Sequence, residues 1–392
     1  MPPRLNHRKS SKGCIRCKKR KVKCDESHPE CRRCLQHGVS CEYPPFQPRR
    51  WASAKRAMAH HASPDTSERL QCIGSSFMKI TDVLLMHHYV TETTGTMSSS
   101  LDPTVKEMWC IAVPQMAFEE HGLLHTLLAI AAAHRATLIP SESVRLHIIH
   151  QTHMDLALQR HQMMVVDVSE NGAPISDTLC LNSILISLYV LGLRSMKRDR
   201  PYELPMQWLY LSRGIRVLMR QAFYRLLDSG TRIQPLLAAS AKMLPSEIEL
   251  NMSDEALFDF LLECHGEDGD LDPSSLQAYR TCTLRLNFAL KVVQNGGSEF
   301  ILRQWFMCLG AAVPGRFIQL LSEKKPRALV ILAYHFALVH CVQNIWFLSG
   351  IPAQEVRGIN NILPPKWKWA MTWPLRVTDG RKMDIGELAT VN

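Results

Sequence analysis

Six cysteines within the first 41 residues have the residue type and the spacing of metal ligands. They follow the pattern C-x2-C-x6-C twice, as Cys14, Cys17, Cys24, Cys31, Cys34 and Cys41. Thiolate sulfur is a preferred ligand of Zn²⁺, and a structural zinc ion takes four ligands in a tetrahedron. Six thiolates are too many for one ion, whereas two ions need eight ligand positions. Two cysteines must therefore bridge, and the repeat suggests one from each half of the pattern.

This spacing resembles the fungal binuclear zinc-cluster DNA-binding domain at every cysteine. The resemblance implies two Zn²⁺ ions, with Cys14 and Cys31 as the bridging ligands. It assigns Cys17 and Cys24 to the first ion, and it assigns the remaining pair, Cys34 and Cys41, to the second. A disulfide framework or two unrelated CxxC sites would also pair cysteines, but either one would leave the basic run between them unexplained.

That basic run is KKRKVK at residues 18–23, between the second and third cysteines. We predict a short helix there, held by metal at both ends. Its positive charge suits DNA phosphates, and long cationic side chains can reach guanine O6 and N7 in the major groove. By the resemblance, Lys21 reads bases with Arg20 beside it, Lys18 and Lys23 hold the backbone, and the target is a CGG-type triplet in duplex DNA. A solvated charged face or a nuclear-import signal is the alternative, and import can coincide with DNA contact.

The positive charge is concentrated at the N-terminal end. The net charge is +10, and residues 1–60 contain 16 Lys and Arg against 4 Asp and Glu, whereas the remainder contains 30 against 32. Such asymmetry indicates a nucleic-acid-binding arm attached to a nearly neutral domain. We predict a basic tail (1–12), a zinc-cluster module (13–43), a linker (44–75) and a large domain (76–392). The linker has no sustained heptad pattern of a dimerising coiled coil, so both a monomer and a homodimer stay open.

The large domain has the sequence pattern of helices. Apolar residues recur at intervals of three and four, proline and glycine separate the segments, and no alternating pattern is long enough for a sheet. We therefore predict a mainly α fold, in which a small zinc-cluster module is joined by a linker to a large all-α regulatory domain. The predicted helices are 77–94, 123–138, 141–166, 176–195, 206–227, 253–264, 273–293, 298–309 and 326–349.

Four stretches of this domain resemble the regulatory domain of the fungal sterol-uptake regulators. They are residues 84–97, 112–136, 334–350 and 363–375. The resemblance implies an apolar ligand pocket in which a bound sterol keeps the factor inactive. The tryptophans that could line such a pocket, or belong to the core instead, are Trp346, Trp367, Trp369 and Trp373. Regulators of secondary-metabolite gene clusters share this architecture, so both pathways are open.

Other functional classes find little support. The sequence lacks a phosphate-binding glycine-rich loop, a GxSxG motif and an HExxH motif, so we expect no enzyme. The apolar stretch 328–348 contains His335 and His340, which favours a buried helix over a membrane span. We expect a nuclear, sequence-specific transcription factor that activates RNA polymerase II through the transcription machinery. The alternatives are a zinc-dependent protein- or RNA-interaction module and an enzyme with a DNA-binding arm.

Overall fold

A computed structural model describes two compact units, Met1–Ser75 and Ser76–Asn392. All regular secondary structure in the described residues is helical, which confirms the predicted mainly α fold. The predicted tail (1–12) and linker (44–75) lie outside these residues. The described residues are 14–22, 24–25, 27, 31–42, 79–97, 102–196, 201–228, 230–243, 257–263, 272–296, 299–340, 342 and 345–380.

The described residues of the first unit form two short helices, α1 (Ile15–Lys19) and α2 (Arg32–Gln36). Each begins directly after a cysteine, and the sulfur of that cysteine accepts a hydrogen bond from a backbone N–H three residues later. The bonds run from Cys17 to Cys14 and from Cys34 to Cys31, both at 3.4 Å. Each sulfur thus caps the helix start, where N–H groups have no partner within the helix. Segments 17 residues apart share this local structure because the cysteine pattern repeats at that interval.

The second unit is built from α-helices and short 3₁₀ and π turns. Proline stands at the first or second position of six of the described α-helices, where its missing N–H does no harm. In chain order, α3 to α17 are Ile80–His88, Pro103–Glu107, Val113–Glu119, His121–Leu138, Ser143–Asn171, Asp177–Gly192, Met206–Asp228, Gln234–Met243, Pro273–Gln294, Glu299–Met307, Leu309–Ala312, Gly315–Ser322, Pro326–Val339, Ile351–Ile362 and Thr372–Thr378.

An antiparallel pair, α6 and α7, forms one side of the core. Glu120 caps α6 by accepting a hydrogen bond from the N–H of Leu123 at 2.8 Å, and the same carboxylate pairs with Arg160 of α7 at 2.8 Å. Gly122 lets the two helices approach closely, because a Cβ at this position would lie 2.7 Å from Cγ of Arg160. One short stretch of sequence therefore sets both the start of α6 and its contact with α7.

Helix α15 lies inside the other half of the unit, with every residue from Arg327 to Val339 buried. The guanidinium of Arg327 donates hydrogen bonds to the carbonyl oxygens of Leu261 and Glu263, and it lies 5.3 Å from the ring centroid of Trp367. The predicted helix 326–349 is too long, since α15 ends at Val339. The expectation of a buried helix in this region agrees with the burial of α15.

Among the described residues, one helix is long and apolar enough to cross a membrane by length and composition. It is Asp177–Met196, which comprises α8 and the turn after it, and 67% of its most apolar window is buried inside the unit. A core helix passes the same test. Helix α8 contacts neighbouring helices through polar groups as well: Thr126 of α6 donates to Asn182 at 2.5 Å, and Ser187 lies 3.1 Å from Ser212 of α9.

Buried histidines make the second unit sensitive to acid. Burial lowers the pKa of His134 and of His150 to about 4, and that of His335 to about 3. The folded unit therefore keeps these rings neutral, whereas the unfolded chain protonates them below about pH 6.5. The unfolded state then binds more protons, so stability is complete above pH 6.5 and falls as the pH drops towards 4.

We expect the free energy of unfolding to be nearly constant from pH 8 to 7, and to fall by about 1 kcal/mol per histidine for each unit below pH 6. Urea titrations followed by tryptophan fluorescence measure this, because no tryptophan lies in residues 13–43. His150→Gln should flatten the pH dependence of the free energy of unfolding. Equal stability at pH 7 and pH 5 in the unaltered chain would contradict the expectation.

Candidate metal centre and nucleic-acid interface

The six cysteines of the repeated pattern lie together in the first unit. Five are buried, and Cys41 is half-buried. Within the described residues, two groups of possible metal ligands have all their ligand atoms within 4.8 Å of one another. Cys14 and Cys31 belong to both groups. The groups are Cys14, Cys17, Cys24 and Cys31, and Cys14, Cys31, Cys34 and Cys41.

The sulfur–sulfur distances suit a tetrahedral metal site. Cys14 lies 3.8 Å from Cys31 and 3.7 Å from Cys34, and Cys17 lies 3.7 Å from Cys31. Two thiolates bound at about 2.3 Å to one tetrahedral zinc ion lie about 3.8 Å apart, whereas a disulfide bond needs about 2.0 Å. The distances exclude disulfides within these pairs, and the donor set fits two Zn²⁺ ions. Bound zinc would supply the crosslinks between the two halves of the module.

Backbone groups hold the sulfurs in place. The N–H of Cys14 donates to the sulfur of Cys24 at 3.4 Å, and the N–H of Cys31 donates to that of Cys41 at 3.3 Å. Burial and the neighbouring sulfurs raise the pKa of the Cys17 thiol to about 12. A zinc ligand must be deprotonated, so a bound cation would offset the cost of ionising Cys17.

The basic run begins in the last turn of α1 and continues beyond it, so the predicted helix over residues 18–23 is wrong in its extent. Helix α1 begins at Ile15, ends at Lys19 and is followed by Arg20 as its C-cap. Lys21 has a φ of 54°, in the left-handed region that residues other than glycine seldom adopt. The N–H of Val22 then donates to the carbonyl of Cys17 at 3.1 Å and closes the turn. Arg20 and Lys21 therefore lie beyond the helix.

The structure places Lys18, Arg20 and Lys21 on the surface, with all three side chains exposed. Lys23, the fourth predicted DNA contact, lies outside the described residues. The three cations follow closely on Cys17, one of the candidate metal ligands, so a bound metal would anchor the segment that carries them. A rigid, exposed group of cations is suited to binding a nucleic-acid backbone.

The four tryptophans predicted for a ligand pocket lie among core side chains. Trp346, Trp367 and Trp373 are buried, and Trp369 is half-buried. Trp373 stacks on Tyr334 with ring centroids 5.3 Å apart. Trp346 stacks on the buried His134 at 5.4 Å. These contacts are those of packed core residues.

A cavity of about 1160 Å³ lies elsewhere in the second unit. Its walls are formed by helices α7, α8 and α16, by the start of α9, and by residues 193–195 and 201–205 between α8 and α9. They combine apolar side chains such as Leu158 and Leu211 with polar ones such as Gln151 and Gln354. None of the four tryptophans lines this cavity, so the predicted pocket residues and the cavity do not coincide.

Three basic residues of the first unit were absent from the sequence-based prediction of the interface. Arg16, Arg33 and His37 line a small pocket between α1 and α2 together with Arg20. A signal for them exists in the sequence, because Arg33 and His37 follow Arg16 and Arg20 by the same 17 residues that separate the cysteine triplets.

Comparison with known protein families gives two matches. Residues 12–50 match the fungal Zn(2)-Cys(6) binuclear cluster domain. Residues 83–257 match the fungal specific transcription factor domain. The first match covers all six cysteines and the basic run, and the second covers much of the described helical unit.

Similar proteins carry related names. A Zn(2)-C6 fungal-type transcription factor, afumD of Aspergillus fumigatus, is 31% identical over 334 residues, which are 85% of this chain and 86% of that protein. A Zn(2)-C6 fungal-type transcription factor of Gibberella zeae is 27% identical over 96% of this chain and 87% of its own length. Sterol uptake control protein 2 of Candida albicans is 23% identical over 70% of this chain and 39% of its own length.

Proposed function

Because the chain belongs to the Zn(2)-C6 fungal-type transcription factors, we propose that it reads CGG-containing promoter sites with Lys21 and Arg20. Members of this family are DNA-binding regulators of transcription rather than enzymes, and their cluster domain binds two zinc ions. In this proposal Lys18 and Lys23 bind backbone phosphates. The factor acts in the nucleus, where it activates transcription. The proposed zinc ligands are Cys14, Cys17, Cys24, Cys31, Cys34 and Cys41, with Cys14 and Cys31 bridging.

The backbone of Lys21 is the observation that carries the base-reading role. Gly38 stands 17 residues later, at the equivalent position of the repeat, and has a φ of 60° beside the 54° of Lys21. Glycine adopts this conformation freely, whereas a residue with a Cβ is disfavoured by roughly 1–2 kcal/mol. At this position the first half of the module has a lysine in a strained backbone conformation. The second half has a glycine, for which the same conformation is not strained. Strained residues concentrate at functional sites, which supports a role for the Lys21 side chain.

The variant Lys21→Gly removes the lysine side chain while keeping the backbone turn, so it tests the side chain separately from the fold. We expect this variant to bind the preferred duplex about 1–3 kcal/mol more weakly and to bind a scrambled duplex almost as before. Because glycine suits the left-handed turn, the variant should keep both zinc ions and unfold no more readily than the unaltered chain. Fluorescence anisotropy with the two duplexes at one salt concentration measures the difference.

Lys19→Ala is the matched control, since Lys19 is an exposed cation of the same run. Its effect should be small and equal on both duplexes. A loss in Lys21→Gly that is as large on scrambled DNA would reject base reading. A zinc-loaded, folded chain with no preference for CGG-containing duplexes would instead favour the alternative of a protein- or RNA-interaction module.

Two regulated pathways follow from the resemblances, sterol or lipid metabolism and a secondary-metabolite gene cluster. The similarity to a sterol uptake control protein supports the first. Genome-wide occupancy of the tagged protein, with expression compared after deletion, distinguishes them. Peaks at sterol biosynthesis and uptake genes would justify testing a sterol or another apolar molecule as a ligand of the 1160 Å³ cavity. Peaks confined to one contiguous cluster would identify a pathway-specific regulator.

A further inference from the structure

The pocket between α1 and α2 repeats the twofold pattern of the cysteines. Its eight lining residues form four pairs, and the members of each pair are 17 residues apart. The repeat therefore builds a concave site from equivalent positions of its two halves. The pairs are Arg16 with Arg33, Cys17 with Cys34, Arg20 with His37 and Val22 with Val39.

The charge of this pocket is strongly positive. Arg16, Arg20 and Arg33 contribute three permanent charges, His37 adds a further donor, and no acidic side chain is among the described residues that line it. Asp25, a carboxylate near α2, accepts from the backbone N–H of Arg32 at 3.2 Å instead. Three guanidinium groups around one concavity repel one another unless an anion lies between them, and guanidinium is well suited to phosphate oxygens.

The size of the pocket limits the anion. Its volume is about 70 Å³, which exceeds the space that one water needs but excludes a large ligand. A single tetrahedral oxyanion fits this description, and its oxygens can accept hydrogen bonds from both helices at once. The pocket is also part of the predicted interface, because Arg20 lines it and is adjacent to Lys21.

We propose that this pocket binds one backbone phosphate of the DNA site and so brings α2 into the interface. Arg33 and His37 then act as positioning residues: they hold the phosphate that fixes the orientation of α1, while Lys21 reads the bases. Phosphate contacts of this kind set the register of a protein on duplex DNA without carrying sequence information. The inference rests on the proposed DNA-reading function and extends it to the second half of the repeat.

Arg33→Ala should weaken binding about tenfold on both the preferred and the scrambled duplex, and it should reduce the salt dependence by about one phosphate contact. Arg32→Ala is the matched control, because Arg32 is the exposed neighbouring arginine of α2 and does not line the pocket. It should change affinity much less. Zinc counting verifies that each variant keeps both ions, and His37→Gln provides a second, milder variant with the same expected pattern.

Replacing single phosphates of the duplex by neutral methylphosphonates locates the contact. One position should weaken binding by the unaltered chain and have little further effect on Arg33→Ala or His37→Gln. The proposal is overturned if Arg33→Ala behaves like Arg32→Ala, or if both pocket variants keep the full methylphosphonate sensitivity at every position.

Competition by inorganic phosphate tests whether the pocket binds a free anion rather than a backbone phosphate of DNA. Competition by phosphate against the unaltered chain but not against Arg33→Ala, without any coupled methylphosphonate position, would show a pocket for free anions and reject the DNA assignment. A failure of the base-reading function is distinguishable from both, because Lys21→Gly would then lose no sequence preference. If the pocket alone is wrong, Lys21→Gly still loses preference while the pocket variants resemble the control.

Discussion

Cys14→Ser is expected to lose both zinc ions, whereas Cys17→Ser is expected to keep about one per chain. The reason is that Cys14 belongs to both groups of four sulfurs, while Cys17 belongs to one. So short a module has few apolar contacts of its own, and its folding therefore depends on metal. Cys31→Ser should match Cys14→Ser, since Cys31 is the other shared residue. Metal analysis of the purified full chain after dialysis, together with DNA binding, measures the effect.

Cys110→Ser controls for the loss of a thiol, because Cys110 is a half-buried cysteine of the second unit. It should leave two zinc ions and full DNA binding. If Cys14→Ser retained one ion at unaltered affinity, the bridging assignment would be wrong, and each ion would have to find its ligands without that sulfur.

The second large effect concerns a buried ion pair in the second unit. Arg194 donates from Nε to Oε1 of Glu355, and Tyr202 donates to the other oxygen at 2.9 Å. Glu355 is fully buried. Arg194→Met should lower the free energy of unfolding by about 3–5 kcal/mol, because it leaves a buried carboxylate without its cation. Urea unfolding followed by tryptophan fluorescence gives the value.

Arg357→Ala is the control on the same helix as Glu355. Arg357 pairs with Asp379 at 2.7 Å, but both side chains are more than half exposed, so the loss should stay below about 1 kcal/mol. The double variant Arg194→Met/Glu355→Met should recover much of the stability, because it removes both charges together. A double variant as unstable as the single one would show that packing, rather than the unpaired charge, causes the loss.

The clustering of the six cysteine sulfurs was predictable because these residues are close in sequence. The spacing of Cys14, Cys17 and Cys24 and its repetition determine which sulfurs can share an ion, and helices α1 and α2 place them without help from distant residues. The length of α1 was mispredicted for a local reason. The basic residues after Cys17 have helical propensity, but the hydrogen bond that closes the turn from Val22 to Cys17 and the left-handed Lys21 end the helix early.

The second unit was predictable as a class of structure and less so in its details. Strong three- and four-residue periodicity located long helices such as α6 to α9. The sequence-based prediction missed several shorter helices, because they depend on tertiary contacts that a local pattern does not contain. They are α4, α5, α10, α13, α14, α16 and α17. The same limit applies to Trp346, Trp367 and Trp373. Aromatic residues close in sequence are compatible with a pocket or a core, and only their packing partners distinguish the two.

The most direct test of the central claim is a selection of random-sequence duplexes by the purified, zinc-loaded full chain. We expect enrichment of a CGG triplet, loss of that enrichment after zinc is removed with a chelator, and its reduction in Lys21→Gly. Enrichment that survives chelation, or a zinc-loaded chain that selects no sequence, would contradict the account.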